Sequence, residues 1–214
     1  MLLLRNRGLS IENKFAKRTI DLILSLLAII VTSPIMIIVA LLIKMYDGGP
    51  ALFKQKRLTI DGKIFDVYKF RSMIVDAEKD GVARLASKND NRITPIGKFI
   101  RKVRLDELPQ LLNILKGDMS IVGPRPERPE IAEEYGKVMP EFSYRLKVKA
   151  GLTGYAQILG KYNTTPKDKL LLDLMYIEKY SLFLDFKLML MTIKILFMSE
   201  STEGVDEGNI LPEK

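Results

Sequence analysis

Residues 22–43, LILSLLAIIVTSPIMIIVALLI, run for 22 positions without a charge. As one helix they would extend about 33 Å, close to the thickness of a bilayer's hydrocarbon core. A core helix in a protein of this size would carry a polar face, and this run carries none. It therefore reads as a membrane segment. A cleaved signal peptide would be shorter and end in small residues; here Lys44, Met45 and Tyr46 follow.

The flanks bear on how the segment sits. Arg5, Arg7, Lys14, Lys17 and Arg18 precede it, opposed only by Glu12, and Lys44, Lys54, Lys56, Arg57, Lys63, Lys69 and Arg71 follow it. A spanning helix cannot satisfy the positive-inside tendency at both ends. Ser33-Pro34 lies near the middle, where proline removes a backbone donor and the serine hydroxyl can bond a carbonyl so freed. A plain transmembrane anchor is the competing reading. The two features together favour a re-entrant helix over residues 20–45, broken at Ser33 and Pro34.

Working outward, Asp47-Gly48-Gly49-Pro50 closes the segment as a cluster of turn formers. Residues 51–60 and 63–70 are strand-like, joined by Asp61-Gly62 as a tight hairpin. Phe65, Val67 and Lys69 fall on one face of the second run. Residues 72–85 read as helix, 98–116 as a longer helix with an apolar face closed by Gly117, and 129–136 and 142–149 as short elements. Residues 151–160 read as glycine-punctuated loop, and 167–179 and 183–198 as final helices. The last is apolar enough for either core or the headgroup plane. Residues 199–214 read as a flexible tail. The fold class is α+β, mostly helical.

The 214 residues contain no Cys and no His. That excludes thiolate nucleophiles, imidazole bases and Cys/His zinc sites. With 34 Lys plus Arg against 26 Asp plus Glu, the formal charge of +8 attracts phosphates of any kind. Residues 154–161 miss the P-loop spacing and lack its Ser or Thr, and no nucleic-acid recognition motif is present.

What remains is Arg101-Lys102-Val103-Arg104-Leu105-Asp106-Glu107-Leu108-Pro109-Gln110. Pro109 suits the first turn of a new helix, placing Asp106 and Glu107 at or just before its N-terminus. Positive neighbours would keep both carboxylates ionised. On this pattern alone Asp106 is a helix cap or a nucleophile, and caps outnumber nucleophiles.

The motifs Lys69-Phe70-Arg71-Ser72-Met73, Arg104 to Gln110, Lys116-Gly117-Asp118-Met119-Ser120, Val122-Gly123-Pro124-Arg125-Pro126 and Gly151-Leu152-Thr153-Gly154-Tyr155-Ala156-Gln157 occur in that order. Together they resemble the bacterial sugar transferase family, the monotopic phosphoglycosyl transferases, over residues 17–198. The resemblance implies transfer of a sugar 1-phosphate from a UDP-sugar to polyprenol (undecaprenyl) phosphate with release of UMP. It implies an aspartyl phosphosugar on Asp106, Mg²⁺ held by Glu107 and Asp106, and Lys69 beside the dyad. It further implies phosphate binding by Arg104, Arg125 and Asp185, with Asp173 a weaker site residue.

The organisation implied is a basic segment over residues 1–19, the membrane helix, a catalytic domain over 46–198 on the cytoplasmic face of the bacterial inner membrane, and the tail. The family's larger members carry extra amino-terminal membrane helices, so this chain resembles the minimal catalytic form. Tyr155 stands where the family often has Trp, and Glu127 where an apolar residue is frequent; both bear on which sugar is carried. The rival reading is a basic scaffold on anionic lipid without catalysis, in which Asp106 has no task.

Overall fold

A computed structural model describes residues 9–77, 90–160 and 164–196. The tail over 199–214, residues 1–8 of the basic segment and most of the helix expected over 72–85 lie outside the described residues. Of that expected helix, residues 72–77 are turn and bridge instead, with Met73 paired to Ile93.

The first element, α1 (Ile11–Asp47), is 37 residues long. Ser10 caps it by accepting from the Asn13 N–H at 3.3 Å, and Gly48 ends it in the left-handed conformation. The helix runs through Ser33-Pro34 uninterrupted, so the pair is not a break in secondary structure. Pro34 has no N–H to offer the Ile30 carbonyl four residues back, and the Ser33 hydroxyl donates to that carbonyl at 2.9 Å. This is the expected substitution of a side-chain donor for a backbone one.

A single stripe of α1 packs on the rest of the protein along nearly its whole length. Lys17, Asp21, Ser25, Val39 and Ile43 are buried, and Ala28, Ile29, Met36 and Ala40 are partly buried against the core. The spacing of three and four residues is that of one helix face. Ser25 and Asp21 give that face a polar mark, so the run is not uniformly apolar in use. The other faces expose Ile23, Leu26, Ile30, Val31, Ile37, Ile38 and Leu41.

Strands β1 (Leu52–Leu58) and β2 (Ile64–Phe70) pair antiparallel from Leu52↔Phe70 to Leu58↔Ile64. Their connection spans residues 59–63 rather than the two expected. Asp61 and Gly62 take positive φ, while the Thr59 hydroxyl donates to the Asp118 carbonyl and accepts from the Ala150 N–H. Phe65 and Val67 face a core with Leu111, Ile114, Met119 and Ala150. Phe70 packs elsewhere, with Val39, Ile43 and Ile100.

The helix expected over 98–116 is three pieces: α2 (Pro95–Lys102), a 3-10 turn over Leu105–Glu107, and α3 (Gln110–Lys116). Arg104 breaks it with φ of 56°, and Pro109 immediately precedes α3. The expected loop over 151–160 is also ordered. Strand β3 (Ser120–Val122) precedes α4 (Pro129–Val138) and a 3-10 segment over Pro140–Lys147. Strand β4 (Gly151–Thr153) then pairs parallel with β3, and α5 (Tyr155–Leu159) follows. A Cβ on Gly151 would lie 2.1 Å from the Gly123 nitrogen, so this glycine permits close backbone approach rather than a loop.

Helices α6 (Pro166–Glu178) and α7 (Leu182–Leu196) complete the fold. Leu188 of α7 is buried with Val122 and Tyr176, while Phe183, Phe186, Leu190 and Ile193 are exposed. One face of this helix is therefore core and another is exposed.

Candidate active site

Asp106 and Glu107 sit in the 3-10 turn between α2 and α3. Leu105 and Leu108 on either side of them pack against Phe70, Val39 and Ile100. Apolar anchors three residues apart hold the turn down and leave the two carboxylates between them.

Neither this turn nor α3 carries a side-chain cap. Asp106 is thus not the N-cap that base rates favoured. Glu107 is held by two cations on one oxygen: Lys69 Nζ donates to Oε1 at 2.8 Å, and Arg125 Nη2 donates to the same atom at 3.1 Å. Lys69 comes from the end of β2 and Arg125 from the loop after β3, so three segments distant in sequence converge here.

The electrostatics separate the two acids. Burial opposes ionisation of Glu107, but the charges and hydrogen bonds of Lys69 and Arg125 outweigh it and hold the carboxyl well below the usual range. Asp106 goes the other way. Burial first, then the Glu107 charge, push it up, and Lys69, Arg101 and Arg125 only partly compensate. The cations therefore act unequally on the two carboxyls, because Asp106 lacks the direct bonds that hold Glu107 down.

The loop carrying Arg125 is tied at successive peptides. Gly123 N–H donates to the Thr153 carbonyl and Gly151 N–H to the Pro124 carbonyl, both at 2.8 Å. The Arg125 carbonyl accepts from Arg145 Nη2 at 3.0 Å, the Pro126 carbonyl from Arg57 Nη1 at 3.1 Å, and the Glu127 carbonyl from Leu58 N–H at 2.9 Å. Pro124 and Pro126 restrict φ on both sides. The exposed Arg125 side chain therefore stands on a held backbone.

Arg145 is itself held by Asp173, with Nη2 at 2.6 Å and Nε at 3.0 Å from the same carboxylate oxygen; the two side chains are 7% and 1% exposed. Asp173 thus reaches the site through Arg145. Glu127, the unusual residue after Pro-Arg-Pro, lies 3.6 Å from Arg57 and 3.9 Å from Arg145. Arg57 and Arg145 are contributors that sequence reading missed. A buried arginine in a short 3-10 segment leaves no local signal.

Two residues expected at the site stand differently. Arg104 supplies the left-handed residue that opens the turn, and Arg101 takes the place expected of it among the cations acting on Asp106. No hydrogen bond or ion pair joins Asp185 to the dyad among the described residues. Its carboxylate takes Lys17 Nζ at 2.5 Å and the Tyr176 hydroxyl at 2.8 Å, and it ties α1 to α6 and α7.

The family model for bacterial sugar transferases matches residues 12–199. The chain belongs to this family. Among family relatives, a UDP-N-acetylgalactosamine-undecaprenyl-phosphate N-acetylgalactosaminephosphotransferase of Aeromonas hydrophila is 40% identical over 185 residues, covering 85% of this chain and 44% of that protein. A UDP-glucose:undecaprenyl-phosphate glucose-1-phosphate transferase of Escherichia coli is 41% identical over 190 residues, 86% of this chain and 41% of that one. An enzyme of the same description from Caulobacter vibrioides is 36% identical over 190 residues, 86% of this chain and 71% of that one. The chain spans less than half the length of the first two of these family members.

Proposed function

We propose that this protein transfers a sugar 1-phosphate from a UDP-sugar to polyprenol (undecaprenyl) phosphate, through a covalent phosphosugar on Asp106. The observation that carries this is the division of labour in the dyad: Glu107 is locked by Lys69 and Arg125, while Asp106, beside it, has no capping duty. The relatives' names supply the donor and acceptor classes.

In the first step an Asp106 carboxylate oxygen attacks the β-phosphorus. The bond from that phosphorus to the bridging oxygen breaks, and UMP departs with the electron pair. In the second step an oxygen of polyprenol phosphate attacks the same phosphorus and releases the Asp106 carboxylate. Arg125 and Lys69 offset the negative charge that would otherwise repel an anionic nucleophile.

The donor set suits Mg²⁺. Asp106 and Glu107 are adjacent hard-oxygen donors, and no cluster of three or more acidic, His or Cys residues exists among the described residues. The remaining positions would fall to phosphate oxygens and water, a common arrangement for this ion. When bound, Mg²⁺ supplies charge neutralisation at the diphosphate.

The membrane seating we propose is re-entrant, with both ends of α1 on the cytoplasmic side. Its support is that Arg18 and Asp21 near one end and Asp47 at the other all bond the same folded body. Arg18 Nη1 donates to the Ile114 carbonyl at 2.5 Å, Asp21 accepts from Ile121 N–H at 2.9 Å, and Arg71 Nη1 donates to Asp47 at 2.6 Å. The chain has no native Cys, so Glu12→Cys and Tyr46→Cys can be probed singly. Both should react with an impermeant maleimide from the same side of sealed vesicles; labelling from opposite sides would restore the spanning anchor.

Turnover itself is tested by UMP release across a panel of UDP-sugars with polyprenol phosphate and Mg²⁺. The Asp106 carboxyl has a defined direction of shift before metal binds. It is raised by burial and by Glu107, so in metal-free protein its ¹³C NMR titration should fall above the ordinary aspartate 3.8. Lys69→Met removes a cation that lowers it, and should move that titration to higher pH. A titration at or below 3.8 in the unaltered, metal-free protein would contradict this assignment.

A further inference from the structure

At the far end of α3 from the dyad, two cations converge above a glycine. Gly117 closes α3 with φ of 94°. A Cβ placed there would lie 3.3 Å from Arg18 Nη2 and 3.6 Å from Lys149 Nζ. Arg18 spends two donors on the last carbonyls of α3, Ile114 at 2.5 Å and Leu115 at 2.7 Å, which leaves three of its five N–H groups. Lys149 makes no hydrogen bond or ion pair among the described residues, and its three donors are uncommitted.

The charges around Lys149 do not satisfy it. Burial and then the Arg18 charge lower its amine, against only Asp21 and Asp118. Those acids are engaged elsewhere: Asp21 accepts from the Ile121 N–H, and Asp118 from Asn113 Nδ2 at 3.3 Å. Lys149 thus lies beside a second cation with no directly bonded counter-ion, and its N–H donors remain open to an anion. Both heads lie within 3.6 Å of one point above Gly117, so a phosphate group seated beside it could accept from each, at about 2.8 Å per bond.

Position identifies the source of the phosphate. Arg18 stands one helical turn before the uncharged run, and Phe15, Leu22 and Ile23 nearby are exposed. That level of α1 is where headgroups would lie in the seating proposed above. The seven residues of α3, about 10 Å of helix, separate the site from the dyad, too far for the same phosphate to meet Asp106.

We propose that Arg18 and Lys149, over Gly117, bind the headgroup phosphate of a bilayer phospholipid and hold the catalytic body at a set height on the membrane. The inference rests on the proposed membrane seating but not on the phosphosugar chemistry.

The test uses the full chain, stripped of lipid into a neutral sugar-headgroup detergent in phosphate-free buffer. Short-chain phosphatidylglycerol is titrated against it, with native mass spectrometry and ¹⁵N NMR of the lysine amines as readouts. One saturable site should appear, with the Lys149 amine signal moving. Lys149→Gln should weaken it by about ten-fold or more, the loss of one charge-assisted contact, and Lys149→Arg should retain it. Lys44→Gln, which removes a charge at the other end of the apolar run, should leave it unchanged.

Equal weakening by Lys44→Gln, or none by Lys149→Gln, would overturn the site. Inorganic phosphate binding as tightly as the lipid would overturn the lipid source. Lys149→Gln should still be labelled by UDP-sugar in detergent, so failure here and failure of the transfer chemistry are distinguishable.

Discussion

Asp106→Asn should abolish sugar-phosphate transfer and at the same time make the folded protein more resistant to unfolding near neutral pH. The first effect follows from losing the nucleophile. Incubated with radiolabelled UDP-sugar and Mg²⁺ but no lipid acceptor, the unaltered chain should acquire label at Asp106 and release UMP. The asparagine variant should do neither, with turnover down about 10⁴-fold or more, the scale seen when a covalent nucleophile is removed. Normal loading of the lipid carrier by this variant would refute the two-step chemistry.

The second effect follows from linkage. The Asp106 carboxyl is raised in the folded protein by burial and by Glu107. Such a group contributes stability fully below its unfolded pKa, and that contribution is lost as pH rises through the folded value. At neutral pH the ionised Asp106 is therefore a cost, and a neutral isostere removes it. Unfolding midpoints of the two proteins should differ near pH 7 and converge toward pH 3. A variant that is inactive and also less stable near pH 7 would point to a structural role instead.

The largest stability loss is expected at Arg145. Arg145→Ala would leave the Asp173 carboxylate buried and unpaired and release the Arg125 carbonyl. Breaking one side of a buried pair costs about 3–5 kcal/mol, and the 1% exposure of Asp173 leaves little screening to soften it. Replacing both partners, as Arg145→Met with Asp173→Leu, should recover much of that stability, since no charge is then stranded. It should not recover activity, because Arg125 would still lack its backbone anchor. Denaturant unfolding in detergent separates these outcomes. A single variant within about 1 kcal/mol of the parent would show the pair to be dispensable, and full activity in the double variant would show the same for the anchor.

The stretch around the dyad shows why part of the site was legible in advance. Pro109 restricts backbone geometry over one or two residues, so the placing of Asp106 and Glu107 just before α3 follows from local chemistry. The same holds for Ser33 serving the carbonyl that Pro34 cannot, for Gly117 ending α3, and for positive φ at Asp61-Gly62. Family motifs in order added the expectation that Lys69 lies beside the dyad, and it bonds Glu107; they gave Arg125 as a phosphate-binding residue, and that its side chain also reaches Glu107 was not foreseen.

What local reading missed depends on partners far along the chain. Residues 151–160 look like loop because glycines break local propensity, yet Gly151 and Gly123 admit a parallel strand pair that exists only when both backbones are present. The bond between Asp185 and Lys17, 168 positions away, is likewise invisible from either neighbourhood. Arg145 gave no sign at all, because a buried arginine is recognised by the carboxylate and carbonyl it meets, not by its neighbours in sequence.

By itself the sequence determined the long apolar run, the placing of the two acids just before a helix start and a side-chain inventory without thiol or imidazole, all properties of composition or of adjacent residues. Only the tertiary structure decided which stripe of α1 faces the protein, which cations reach Glu107, and that the two acids of the dyad are driven apart in pKa. Those outcomes are set by distance and desolvation, and neither exists until segments remote in the chain are packed together.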